Sequence, residues 1–417
     1  MPLRATETVS LFLAFILAGS NAIENGLGKT PPLGYNTWND FGCGNITADN
    51  LRLVADKMVE LGFRDAGYEY LNIDDCWAIG RDKVTKQLIP DPLLFPEGIK
   101  PVSDYVHSKG LKFGIYTDRG ILTCGKRPGS LGHEVIDAQS FADWGVDFLK
   151  EDSCYSNSVD HKVAFKEYAR MRDALNSTGR PIFFSLCGWR AWYAPLGASL
   201  GNTWRISGDV IDWAGVYRAV QVALQLGNYA GPGGFNDPDM LLGSVPDTSH
   251  FLTPEQSRTQ FNLWVALSSP LLVGSSMLRM SAYDHETYTN PEALSISQDP
   301  LAKQGFVAWG DCPEWKPSKK CPPCAQVLSK PLSTGGFALV LVNYSPTPNV
   351  VACDEACVVR ACGGVCAGMS FLARDVWAKK SLGLVQSVEV ALPPGGSSML
   401  VFTPPTDPPP PPPPGGG

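Results

Sequence analysis

The sequence predicts an α/β fold: a (β/α)8 TIM barrel followed by a small C-terminal antiparallel β domain. Three observations carry this. From Pro31 to about Gln298, apolar runs of strand length alternate with helix-like stretches, which implies βα units and a parallel sheet. There are eight such runs, which points to a closed barrel rather than an open sheet. After about Asp299 the pattern changes to short strands separated by Pro, Gly and Ser.

Residues 1–22 read as a secretory signal peptide. Arg4 supplies the positive start, Val9 to Leu17 a short apolar core, and Ala18, Gly19, Ser20 and Ala22 the small residues for cleavage. The apolar stretch is too short to span a bilayer. A buried N-terminal helix is the competing reading, and polar Asn21 and the loop-like Gly26 to Pro32 argue against it.

The catalytic domain is placed at 30–300. Its strands are Leu33 to Trp38, Tyr68 to Asp74, Leu111 to Tyr116, Val146 to Lys150, Ile182 to Leu186, Thr203 to Ser207, Tyr229 to Phe235 and Leu271 to Gly274. Helices are expected at Asn50 to Leu61, Lys100 to Lys109, Asp137 to Trp144, Asp160 to Leu175 and Gln256 to Leu267. The eighth strand and the helix between the sixth and seventh are the least sharply marked.

An antiparallel, Cys-rich β-sandwich is placed at 301–405, with strands at Phe306 to Trp309, Phe337 to Val342, Val358 to Arg360, Ser387 to Leu392 and Ser398 to Phe402. Residues 406–417 read as a proline-rich linker or tail, a stiff polyproline II rod through which the protein associates with a cell wall.

Composition narrows the function. A length of 417 residues suits two domains, and 44% hydrophobic residues permit a sizeable core. The net charge of −7, with no dense Lys/Arg cluster, argues against nucleic acid. No later segment is long and apolar enough to span a membrane. The signal places the protein outside the cell, in a wall, or in a vacuole- or lysosome-like compartment reached by the secretory route.

Secretion makes disulfide formers of the 12 cysteines. Seven fall between Cys312 and Cys366, including C-P-P-C at Cys321 and Cys324 and a cluster at Cys353, Cys357, Cys362 and Cys366. A zinc site is the alternative there, and secretion favours disulfides. Seven is odd, so at least one has its partner elsewhere or stays free. Three N-glycosylation sequons lie at Asn45, Asn176 and Asn343, the last inside an apolar run. No nucleotide-binding glycine pattern follows a strand, and the five histidines contain no i, i+4 pair, so no cofactor is expected.

Two aspartates carry the chemistry. Asp152 closes GVDFLKED and Asp209 closes TWRISGD. Strand C-termini converge on the active-site face of a barrel, and two carboxylates flanking one bond are the minimum equipment for glycoside hydrolysis. Lys150, two residues before Asp152, points the same way on a strand and holds that carboxylate ionised. Arg205 shares a mouth with Asp209 where the strand bends into loop. As an acid, Asp209 needs a raised pKa, from burial or from Asp152 nearby. Asp74 and Asp75 suit bidentate acceptance from sugar hydroxyls. Aromatics crowd the same strand ends, where sugar faces can stack: Tyr35, Trp38, Trp77, Tyr116, Trp189, Trp192 and Trp204. Taken singly, each of these acids reads as a cap and each ring as core; their number in one chain shifts the balance.

PPLGYNTWNDFGC (Pro31 to Cys43), YLNIDDCW (Tyr70 to Trp77), GLKFGIYTDRG (Gly110 to Gly120), TCGKRPGS (Thr123 to Ser130) and GPGGFNDPDML (Gly231 to Leu241) resemble, in order, the sequence blocks of glycoside hydrolase family 27. The resemblance implies a retaining α-galactosidase fold and activity, with a terminal α-galactoside as substrate. By its motifs Asp152 would be the nucleophile and Asp209 the acid/base. Asp74 and Asp75 would bind galactose hydroxyls, as would Lys150 and Arg205 near the reaction. Tyr35, Tyr116, Cys124, Cys187, Trp189, Asp239 and Met240 match pocket-lining positions. It further implies disulfides Cys43–Cys76 and Cys124–Cys154, with Cys187 a free thiol. Retention requires the two carboxyl groups about 5–5.5 Å apart.

Several positions depart from the family pattern. Tyr35 stands where Trp is usual, Glu151 and Ser153 flank Asp152 where Tyr and Asn are usual, and Gly188 stands where Glu is common. Glu151 should point away from the side of Asp152 on a strand. The cysteine-rich stretch from Cys312 to Cys366 is not explained by the family. Within the family, an α-N-acetylgalactosaminidase needs small residues near the sugar 2-position, where Cys187 and Trp189 look like the galactose type. A β-L-arabinopyranosidase does not need to hold C6, which Asp74 would bind. The reading from another class is a non-catalytic galactose-binding wall protein, which the presence of both aspartates opposes.

Overall fold

The structure, a computed structural model, describes residues 25–405 apart from 157–159, 247 and 317–319. The expected signal peptide (1–22) and the proline-rich tail (406–417) lie outside the described residues. Eight parallel strands form one curled sheet: β1 (Leu33–Asn36), β2 (Tyr70–Asn72), β3 (Lys112–Asp118), β4 (Phe148–Asp152), β5 (Phe183–Leu186), β6 (Thr203–Arg205), β7 (Phe235–Asp237) and β8 (Leu271–Val273). Neighbours run in chain order, and β8 pairs back onto β1. Between β7 and β8 closure falls to Leu241, whose N–H donates to Leu272 O while its carbonyl accepts from Gly274 N. The chain is therefore a (β/α)8 barrel.

Side chains alternate across each strand, so every second residue enters the barrel. Phe148, Phe183 and Tyr70 fill the lower layer with Met240 and Leu272; Phe148 and Phe183 stack at 4.9 Å. Above them the interior turns polar. Lys150 follows Phe148 by two, Ser185 follows Phe183 by two, and Arg205 and Asp237 pair in register across β6 and β7. The apolar plug and the polar mouth thus come from the same strands. Gly114 is required here, because a Cβ would lie 1.8 Å from Asn72 Oδ1.

Helices cover the outside. In Ala48–Glu60, Leu51, Val54, Ala55 and Met58 recur at helical spacing and are buried, and the Thr47 side chain accepts from Asn50 N as N-cap. Pro254–Ala266 opens with a Thr253/Gln256 capping box and is buried along most of its length, since the barrel lies on one side and the C-terminal domain on the other. No helix among the described residues is long and apolar enough to cross a membrane.

Behind the barrel stand eight further strands: β9 (Phe306–Gly310), β10 (Ala325–Pro331), β11 (Phe337–Asn343), β12 (Asn349–Cys353), β13 (Phe371–Asp375), β14 (Lys380–Val385), β15 (Val388–Leu392) and β16 (Ser397–Thr403). Six form an antiparallel sheet in the order β9-β10-β11-β16-β13-β14, and β12 pairs with β15. The central strand β11 is buried at every residue. One set of alternate residues, with Val327, Leu339, Leu341 and Leu400, packs beneath β12 and β15. The other, with Leu328, Val340, Val342 and Met399, joins the barrel core.

Some expectations fail. The seventh strand is Phe235–Asp237; Gly227–Tyr229 is a 3₁₀ turn, and Gly231 to Gly234 form a loop closed by backbone bonds between Gly231 and Gly234. The expected strand at Val358 to Arg360 lies in a helix, Glu355–Ala361, whose N-cap Asp354 accepts from Cys357 N. Two short disulfides, Cys353–Cys357 and Cys362–Cys366, bracket that helix. Strands β10, β12, β13 and β14 were not expected, nor was the Leu88–Pro90 hairpin with Ala78–Arg81. The Cys43–Cys76, Cys124–Cys154 and Cys312–Cys324 bonds are present, and Cys187 and Cys321 are free.

Candidate active site

The C-terminal ends of the barrel strands open into one pocket. Asp74, Asp75, Tyr116, Cys124, Lys150, Asp152, Cys187, Trp189, Arg205, Asp209, Asp239 and Met240 all line it. Tyr35 does not. It is fully buried, its hydroxyl donates to Asp40 Oδ2 at 2.8 Å, and the wall is Trp38 instead. Tyr35 belongs to β1 and is packed in the core, whereas Trp38 lies past the strand end, in a turn that reaches the mouth.

Asp152 is buried. Tyr116 Oη donates to its Oδ2 at 3.0 Å and Ser153 N to its Oδ1 at 2.9 Å. Burial, reinforced by the Asp74 charge, pushes it up to about 6; Lys150, the Ser153 N–H and the Cys187 thiol work the other way. Lys150 Nζ donates to Asp74 Oδ2 at 2.7 Å, and Asn36 Nδ2 donates to the same oxygen. Burial opposes the Lys150 charge, but Asp74, Cys187 and Asp152 hold its pKa above the usual lysine range. The Asp75 carboxylate accepts from Gly125 N and Cys76 N, each at 2.6 Å, and burial raises its pKa.

Across the pocket, Arg205 Nη2 meets Asp209 Oδ1 at 3.0 Å and Asp239 Oδ2 at 2.9 Å. The side chain of Asp209 is 67% exposed. A raised pKa was expected; its pKa is lowered, because Arg205, with Lys150 and Arg218, outweighs the effect of burial.

Glu151 faces away from Asp152. It is fully buried, both carboxyl oxygens lack a partner, and burial beside Asp118 raises its pKa well above the usual range. The space at Gly188 belongs to Tyr193, whose ring would lie 1.8 Å from a Cβ there. Ser153 Oγ accepts from Arg119 Nε, and Arg119 pairs with Glu167.

Asn39, Val210, Ile211 and His250 also line the pocket and were not anticipated. Val210 and Ile211 directly follow Asp209, so their position was legible; Asn39 lies in the short helix Trp38–Phe41 just past β1, and His250 comes from a loop that carries no strand-end signal. Four residues of this end, Cys76, Tyr155, Trp189 and Asp239, have positive φ without being glycine. Such strain clusters at functional sites. Among the described residues, two groups of acids and cysteines are close enough for metal binding, but every cysteine in them is disulfide-bonded, leaving only carboxylates as ligands.

Residues 30–299 match the family model described as alpha galactosidase A, and 323–402 match the alpha galactosidase C-terminal beta sandwich domain. The alpha-galactosidase of Cyamopsis tetragonoloba is 41% identical over 368 residues, covering 87% of this chain and 83% of the relative. The structure of alpha-galactosidase I from Mortierella vinacea superposes with a TM-score of 0.82 at 32% identity, covering 91% of this chain and 98% of that one. An alpha-galactosidase from Saccharomyces cerevisiae, solved with raffinose, gives 0.82 at 26% identity, covering 91% and 99%.

Proposed function

We propose that this chain, which belongs to the alpha galactosidase A family of glycoside hydrolases, is a secreted, retaining α-galactosidase. The observation that carries the reading is the single pocket into which Asp152 and Asp209 both open, with Lys150 and Arg205 alongside. In the first step Asp209 protonates the glycosidic oxygen as Asp152 bonds to the anomeric carbon; in the second, Asp209 deprotonates water, which releases α-galactose. The carboxyl groups are expected about 5–5.5 Å apart with a sugar bound. Asp74 and Asp75 bind galactose hydroxyls. Raffinose, present in the yeast relative, is a natural test substrate.

Secretion is supported by five disulfides. Asn45 and Asn176 are exposed and suited to glycans, whereas Asn343 is buried with its Nδ2 donating to Thr347 O and Pro393 O.

The test is hydrolysis of 4-nitrophenyl α-galactoside, beside the α-N-acetylgalactosaminide and β-L-arabinopyranoside, with the first-formed anomer identified by NMR. Turnover of the galactoside alone with α-galactose formed first is expected. No turnover of any of the three by folded protein would leave a sugar-binding protein.

A further inference from the structure

Asp239 lines the pocket, as expected, and both of its oxygens are engaged by the protein. Oδ1 accepts from Met240 N at 2.8 Å; Oδ2 accepts from Val210 N at 2.8 Å and pairs with Arg205 Nη2 at 2.9 Å. Its backbone is held as firmly. The N–H donates to Asp237 Oδ1, the carbonyl accepts from Trp264 Nε1 at 2.6 Å, and φ is +95°. A non-glycine residue keeps such a φ only where its surroundings enforce it. These contacts converge on its neighbours: Val210 follows Asp209, and the nitrogen that binds Asp239 also binds Asp209.

A carboxylate held alone by a guanidinium resists protonation. Asp209 feels the charges of Arg205, Lys150 and Arg218 and, against them, those of the Asp239 carboxylate and the Cys187 thiol. We propose that Asp239 is a positioning residue for proton transfer: it shares Arg205 with Asp209, and it tethers the loop that carries Asp209 through Val210. The proposal rests on the reading of Asp209 as the acid/base.

In the first step the proton of Asp209 passes to the glycosidic oxygen as the bond from that oxygen to the anomeric carbon breaks and the Asp152 bond forms. A sugar leaving group needs that proton; 2,4-dinitrophenolate departs without it. Without Asp239, Arg205 keeps Asp209 as its one salt-bridged carboxylate, while Lys150 stays paired with Asp74.

The experiment compares kcat/KM, which reports this step, for raffinose and 2,4-dinitrophenyl α-galactoside, with pH profiles and thermal unfolding. Asp239→Asn is expected to lose about 10²-fold on raffinose while the aryl galactoside changes by less than about 3-fold, and the alkaline limb for raffinose should move to lower pH. Asp239→Ser repeats the measurement if the Asn variant unfolds. Asp239→Glu, which keeps the charge, should keep the ratio of the two substrates. Adding Arg205→Gln to Asp239→Asn should abolish the leaving-group dependence, since the surplus cation is gone. Equal losses on both substrates with an unmoved alkaline limb would make Asp239 a sugar-binding or scaffold residue and overturn the proposal. Wild type that cleaves neither substrate would remove the enzymatic reading itself.

Discussion

Asp152 lies buried between Tyr116 and Ser153, whereas Asp209, across the same pocket, leaves 67% of its side chain in solvent and leans on Arg205. Burial shifts the first up to about 6, and cations shift the second down. For the roles proposed, it is the two positions rather than these pKa directions that suit the tasks, since an acid needs a raised pKa and that of Asp209 is lowered. A nucleophile gains reactivity when its charge is poorly solvated. An acid/base must reach a leaving group and later a water, so it stands at the mouth.

Breaking the buried side should have the largest effect. Asp152→Asn is expected to reduce kcat by roughly 10⁴-fold or more, measured on 4-nitrophenyl α-galactoside. The same change should stabilise the fold. The Asp152 folded-state value of about 6 exceeds the ~3.9 of an unfolded chain. The destabilisation is therefore fully present above pH ~6 and relieved as pH falls from ~6 toward ~4, an effect of roughly 2–3 kcal/mol. Thermal melts should show Asp152→Asn ahead of wild type at neutral pH and level with it at pH ~4. A variant less stable at neutral pH would mean that Lys150 more than compensates for the burial.

Lys150→Met leaves Asp74 as an unpaired buried charge, for which a loss of roughly 3–5 kcal/mol is expected in urea melts. It should also move the acidic limb of kcat/KM to higher pH, because Lys150 opposes protonation of Asp152. The staples at the two ends of the molecule should differ too. Cys43–Cys76 spans 33 residues and Cys362–Cys366 only 4, so loop-closure entropy predicts about 3–4 kcal/mol for the first and about 2 kcal/mol for the second. Least affected should be stability in Asp209→Asn, within about 0.5 kcal/mol of wild type, although cleavage of raffinose fails. A large loss of stability there would show that the Arg205 contact is structural.

The sequence announces strands that end in function. Phe148 to Asp152 and Thr203 to Arg205 combine an apolar run with a terminal charge, and both were legible with their partners Lys150 and Asp209. Loop-borne His250 was not, since nothing local marks a loop as folding over a pocket. The pairing of Arg205 with two carboxylates was hidden for a related reason: Asp239 is 34 positions away, and its register beside β6 is a property of the closed sheet. In the C-terminal domain, the run Val358 to Arg360 read as a strand, whereas the i, i+4 cysteines at Cys353–Cys357 and Cys362–Cys366 staple a helix there. Strand β10, with Ser329 and Lys330 in its middle, hid because both polar groups find buried partners, Ser329 Oγ on Ala361 O and Lys330 Nζ on Ser268 Oγ.

The face of the C-terminal sheet formed by Leu328, Val340, Val342 and Met399 shares its core with the barrel. Four such side chains returned to water would cost roughly 6–12 kcal/mol, as much as the whole net stability of many domains. A barrel truncated at residue 300 would therefore not be a smaller enzyme. It would expose the apolar flank of Pro254–Ala266 and aggregate, so the two domains must be expressed, inherited and engineered as one piece.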